Sequence, residues 1–169
     1  MLFSFLLGLK TIPKNAQVTE RAAVRAVLWY KGRLIMVKTA QGDYKFPGGG
    51  INAQEDIESA LLREISEETG YCHVIIGELL GSVVQQQTDI NRPHQYFKMI
   101  SHYYSCELVD EENAGQKLDD YEHDLGFKPC VVSPEAALRA NDKLLRGSLL
   151  NINVWVKRET EVLKIIVKT

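Results

Sequence analysis

Apolar residues along the chain fall into two kinds of pattern, short β-rich runs and stretches in which they recur every four positions. Arg21–Tyr30 (RAAVRAVLWY) and Arg33–Lys38 (RLIMVK) read as two strands joined by a turn at Lys31-Gly32. Over residues 54–69, Ile57, Leu61 and Ile65 keep the spacing of one helix face. Asn52, three residues before Glu55, suits an N-cap, and Gly70 stands where a left-handed C-terminal turn would end the helix. Val74–Val84 and Tyr96–Leu108 read as strands, with a shorter one at Lys128–Val132. Helices are expected at Pro134–Asn141 and near Asn151–Val167. That order predicts an α+β or mixed α/β fold without a βαβ series. Met1–Leu9 is almost wholly apolar but well short of the roughly 20 residues a membrane span needs. No basic residue precedes it and no cleavage pattern follows, so residues 1–19 read as an extension or edge strand rather than a leader. Residues 20–169 are taken as the domain proper.

Composition narrows the function classes. A chain of 169 residues is most simply one domain. Its formal net charge of −2 argues against a protein that grips nucleic acid through phosphates, and nothing asks for a membrane surface. Cys72, Cys106 and Cys130 contain no CxxC pair and read as thiols of a reducing, cytoplasmic setting.

Charge on the first helix is the most informative feature. Between Glu55 and Glu68 there are six acids and one base, Arg63. Glu55, Asp56 and Glu58 lie where the helix dipole favours negative charge. Glu64, Glu67 and Glu68 lie near the other end and are neighbours at the spacing where like charges repel. At about 100° per residue, Glu64 and Glu68 also fall within about 20° of Ile57, on the inward face. Inward carboxylates persist when paired or when they hold a metal, and one Arg cannot balance three acids. A hard divalent cation, Mg²⁺ or Mn²⁺, is the economical partner for all-oxygen ligands. On this reading, removing the Glu68 charge should stabilise the metal-free protein. Gly48-Gly49-Gly50 directly before the helix let backbone approach a ligand, which suggests a magnesium–phosphate substrate.

These residues carry a resemblance. Gly49-x5-Glu55-x7-Arg63-Glu64-Ile65-Ser66-Glu67-Glu68-Thr69-Gly70-Tyr71 resembles the Nudix box, departing only at Tyr71, where an aliphatic residue is usual. The resemblance implies an α/β/α sandwich around a mixed sheet, with Mg²⁺-dependent hydrolysis of a nucleoside diphosphate linked to another moiety. It implies metal ligation by Glu64, Glu67, Glu68 and the Gly48 carbonyl, and structural roles for Glu55, Arg63 and Gly70. Either Glu64 or a loop acid would be the general base. Glu122, in the acidic stretch Glu107–Asp124, is the candidate among the loop acids. Gly49, Gly50 and Lys38 are candidate substrate contacts. The expected partner is a small nucleotide, and the apolar N-terminal segment could take part in a homodimer contact. The competing expectation is a non-catalytic Nudix module that senses a nucleotide or binds a partner. Such modules typically lose box glutamates, and all are kept here.

Overall fold

A computed structural model describes residues 1–89, 92, 94–147 and 153–169. Strand β1 is Phe3–Gly8, β2 Gln17–Tyr30, β3 Arg33–Lys38 and β4 Tyr44–Lys45. Helix α1 is Ile57–Thr69, followed by β5 Val74–Thr88 and β6 Gln95–Leu108. Helix α2 is Asp120–Asp124, β7 Lys128–Val132, α3 Pro134–Arg146 and α4 Val156–Ile166. The sheet runs β1-β5-β6-β2-β3-β4, with β7 also on β3. It is mixed: β1 runs parallel to β5 and β2 parallel to β6, and the remaining pairs are antiparallel.

Alternation along β2 divides the core between two faces. Val24, Ala26 and Leu28 pack with Ile35 against Ala60, Leu61 and Ile65 of α1. Val27 faces the other way, where Leu34, Met36, Phe46 and Tyr103 pack with Ala137 of α3 and Val162, Leu163 and Ile166 of α4. The result is a helix–sheet–helix sandwich. At the sheet edge, Phe3 packs edge-on to Tyr103 with ring centroids 5.6 Å apart. Among the described residues no helix is long and apolar enough to cross a membrane.

The β2–β3 turn lies at Lys31-Gly32 as expected, with φ of 48° and 73° suiting a two-residue hairpin. Several boundaries differ from the sequence reading. β2 begins at Gln17 because its first residues pair with β6, a long-range contact that local pattern does not carry. Helix α1 is capped by Asp56, which accepts from the Ser59 backbone N–H at 2.8 Å, whereas the Asn52 N–H bonds the Glu55 carboxylate. Ile57, taken as the inward reference, is 42% exposed because it sits in the first turn, short of the packed face. Helix α3 continues to Arg146, and α4 starts at Val156. Asn151, the expected start of that last helix, lies outside the described residues. β4 and α2, at two and five residues, are too short to show as periodic patterns.

Candidate active site

The glycine segment is a continuation of the sheet. Val24 N–H donates to the Gly49 carbonyl at 3.0 Å, Ala26 N–H to Pro47 at 2.8 Å, and Ile51 N–H to Ala22 at 3.1 Å. Gly48 sits at φ 141°, and a Cβ there would stand 2.1 Å from the Val24 carbonyl oxygen. At Gly49 a Cβ would lie 2.4 Å from the Glu64 carboxylate. Only glycine lets this backbone lie against both the strand and the helix.

Helix α1 presents Glu64 and Glu68 to that segment, both buried, beside Leu61 and Ile65. Its C-terminus is closed by Gly70 at φ 79° and by side-chain amides from the following loop. Asn113 donates to the Thr69 carbonyl at 3.0 Å and Gln116 to the Glu68 carbonyl at 2.6 Å.

The charges are arranged by two cations. Arg63 grips Glu55 through two donors at 2.7 and 2.8 Å, reaches Glu64 at 2.7 Å and Glu67 at 3.1 Å, and donates to the Gly50 carbonyl at 3.1 Å. This fork holds the Glu55 carboxyl well below its usual range, at about 2. Glu68 is answered by a residue that the sequence reading passed over. Lys45, from β4, pairs with its carboxylate, and the Gly48 N–H donates to it at 2.9 Å. The premise that only Arg63 opposes the box acids is therefore corrected. Among the described residues Arg63 and Lys45 are the cations bonded to these four glutamates, and Arg25 adds a positive charge near Glu64 and Glu68 without bonding either. Burial, reinforced by Glu68, pushes the Glu64 carboxyl up despite Arg63. A buried carboxylate left short of positive charge, among hard oxygen donors, fits a divalent cation. The Gly48 carbonyl, the remaining expected ligand, accepts from Arg25 and lies 3.4 Å from the Lys45 ammonium.

Glu122 comes to the same place from the other side. It is the N3 residue of α2, where its N–H donates to Asp119 at 2.8 Å and its carboxylate accepts from the Asp119 N–H at 3.2 Å. Burial, then the charges of Glu68 and Asp119, push its carboxyl up to about 7. Gly48, Gly49, Gly50, Glu64, Glu68 and Glu122 all line one cleft of about 440 Å³. Glu67 is more exposed and meets the site through Arg63. Lys38, the expected substrate contact, lies exposed at the end of β3, its ammonium 5.5 Å from the Tyr44 ring, outside the residues that line the cleft. The chain turns it outward where Lys45 turns in. Among the described residues, the one grouping with ligand atoms inside 4.8 Å of each other is the exposed His73, Asp110 and Glu112, also outside the cleft.

The rest of the cleft was not anticipated. Phe97, Tyr121, Phe127 and Trp155 line it, with Arg21, Arg25 and Arg158. Trp155 is fixed by its indole N–H, which donates to the buried Asp43 at 2.8 Å. Arg25 carried a usable signal, a charge in the middle of an apolar strand.

Comparison with known proteins follows this geometry. An uncharacterized Nudix hydrolase of Schizosaccharomyces pombe is 27% identical over 99 residues, which is 59% of this chain and 46% of that protein. A Caenorhabditis elegans protein is 47% identical over 49 residues, 28% of this chain and 13% of its own length. The chain thus aligns with less than half the length of either curated relative. A NUDIX hydrolase structure from Nitrosomonas europaea superposes with a TM-score of 0.55 at 19% identity, covering 85% of this chain and 90% of that one. An ADP-ribose pyrophosphatase from Streptococcus suis gives 0.54 at 16%, covering 89% and 91%. At such identities the likeness concerns the fold. The NUDIX domain family model matches residues 19–150, most of the chain, and this protein belongs to that family.

Proposed function

We propose that the chain is a Mg²⁺-dependent pyrophosphohydrolase that cleaves a nucleoside diphosphate linked to another moiety. The observation that carries this reading is the convergence of Glu64, Glu68 and Glu122 on the glycine segment in one cleft. The aromatic side chains lining the same cleft suit a nucleobase.

Glu64, Glu67, Glu68 and the Gly48 carbonyl would hold Mg²⁺ or Mn²⁺. When bound, the cation supplies Lewis-acid polarisation of the phosphoryl oxygens. The chain supplies the rest. Arg63 keeps Glu64 and Glu67 in place through its grip on Glu55. Gly49 and Gly50 bring backbone close enough to flank the diphosphate. Glu122, with a carboxyl near neutrality, takes a proton from the attacking water. The water oxygen bonds to phosphorus as the bridging P–O bond breaks in line, and the bridging oxygen leaves with the departing phosphate. Glu64 is less suited to this role, being bonded to Arg63 and pressed against Gly49.

The test is turnover of nucleoside triphosphates, ADP-ribose, nucleotide sugars and dinucleoside polyphosphates with Mg²⁺, run in ¹⁸O water. The expected result is release of a nucleoside monophosphate with label on a phosphate. Full activity in excess chelator, or no turnover of any class with Mg²⁺ or Mn²⁺, overturns the reading.

A further inference from the structure

Beneath α4, the sheet face that floors the cleft is more polar than its burial permits. Arg21 and Arg25 of β2 flank Ala23, and the β6 partners of these three residues are Met99, Tyr103 and Ser101 respectively. Alternation sets Arg21, Ala23 and Arg25 on the same face of β2. Arg25 is 6% exposed, and among the described residues its Nε has no hydrogen-bond partner. Ser101 is fully buried, and its hydroxyl has none either. Orphaned polar atoms are costly unless something else satisfies them, and of these two residues Arg25 is the one that lines the cleft.

From above, α4 adds a second guanidinium. Arg158 is 3% exposed and lines the cleft with Arg25. It pairs with Glu159, which also accepts from the Tyr103 hydroxyl at 3.1 Å, and it donates to Gln85 at 2.7 Å. A guanidinium has five N–H donors; with the Nε–H also on Glu159 at 3.1 Å and a long contact to the Met99 sulfur at 3.8 Å, Arg158 keeps about one for a ligand. The two buried guanidiniums share Glu159, and the other carboxylate that Arg25 faces, Glu68, is already paired with Lys45. The floor is short of one negative charge and of acceptors. A nucleobase or an uncharged sugar offers a few acceptors but no charge. A phosphate monoester offers both, in the geometry guanidinium groups bind best.

We propose that Arg25 and Arg158 form an anion subsite for a phosphate monoester that the substrate carries in addition to its diphosphate. This rests on the reading above that the diphosphate lies beside Gly49 and Gly50. It makes Arg158 a specificity-determining residue. Among nucleoside diphosphate compounds, those with such a phosphate are the preferred class.

Matched pairs test this: ADP-ribose with its 2′-phosphate, and dephospho-coenzyme A with coenzyme A. Each is titrated calorimetrically into the full chain with Ca²⁺ in place of Mg²⁺ to slow turnover, and hydrolysis with Mg²⁺ is followed separately. In at least one pair the phosphorylated member should bind about tenfold tighter or more. The ratio should fall to near one in Arg158→Gln and be partly kept in Arg158→Lys, with melting curves showing that both variants fold. Equal binding within both pairs overturns the subsite, as does no binding of any of the four compounds. A preference that survives in Arg158→Gln does the same. Hydrolysis of the plain members without discrimination removes the subsite and leaves the hydrolase reading. Discrimination without hydrolysis of any compound does the reverse.

Discussion

Lys45 and Glu68, 23 residues apart in sequence, form a buried ion pair whose side chains are 5% and 2% exposed. A carboxylate that local charge counting marks as unpaired thus has a buried counter-charge. The expected effect of Glu68→Gln reverses accordingly. The variant leaves the Lys45 ammonium buried without its counter-charge, at a cost of about 3–5 kcal/mol. In chelator it should melt roughly 6–20 °C below the wild type. Differential scanning calorimetry checks this, and Lys45→Met combined with Glu68→Gln should recover part of the loss.

The pair also shows what a sequence reading of this chain can reach. Glu55, Arg63 and Gly70 are legible because their partners lie within one helix or its immediate flanks. Asp56 is legible only as a helix-terminal acid, and the cap itself depends on where the first turn begins. Lys45, Arg25 and Arg158 are brought in by strand pairing and by a helix some 110 residues further on, beyond the reach of local spacing. Lys38 and Lys45 are alike as sequence, each a lysine at a strand end. The direction each side chain takes from the sheet is what separates them.

Glu122→Gln should lower kcat by about 10²-fold or more, the usual contribution of a general base. Glutamine can keep the α2 capping box, so the metal-free variant should melt close to the wild type below about pH 4.5, and higher than the wild type once the wild-type carboxyl ionises near pH 7. Asp56→Asn is the control. Asparagine caps a helix as well as aspartate does, and its activity should match the wild type.

The raised Glu122 carboxyl predicts an acid limb in the rate profile. kcat/KM should fall about tenfold per pH unit below about pH 7, level off above it, and lose this limb in Glu122→Gln. The stability sign follows from the same shift. A carboxyl raised in the folded state favours folding while protonated. That contribution is complete below the unfolded value near 4.5 and is lost as pH rises to about 7. Relative to Glu122→Gln, the metal-free wild type should therefore lose melting temperature across that window and hold steady above it.

Gly48→Ala and Gly49→Ala should separate stability from activity. At Gly48 the new methyl group meets strand backbone, and φ 141° is strained for alanine, so about 1–3 kcal/mol should be lost. At Gly49 it meets the flexible end of Glu64. That carboxylate can move aside, so the protein should stay folded while turnover falls by roughly 10²-fold from misplacement. Thermal melting beside steady-state kinetics on both variants decides the matter.

Register sets an order of assembly. β2 meets β6 from Gln17↔Gln95 to Trp29↔Glu107, and β1 meets β5 from Phe3↔Gly81 to Gly8↔Gln86. Each pairing closes a long stretch of chain, a slow step in any folding reaction. The β2–β3 hairpin, the glycine segment and α1 need no such closure, since residues 22–70 contain all their contacts with one another. The half of the site that would hold the cation can thus organise while the chain is still short. The Arg25–Arg158 floor waits for β6 and α4, so the proposed selection among substrates would be acquired after the cation site.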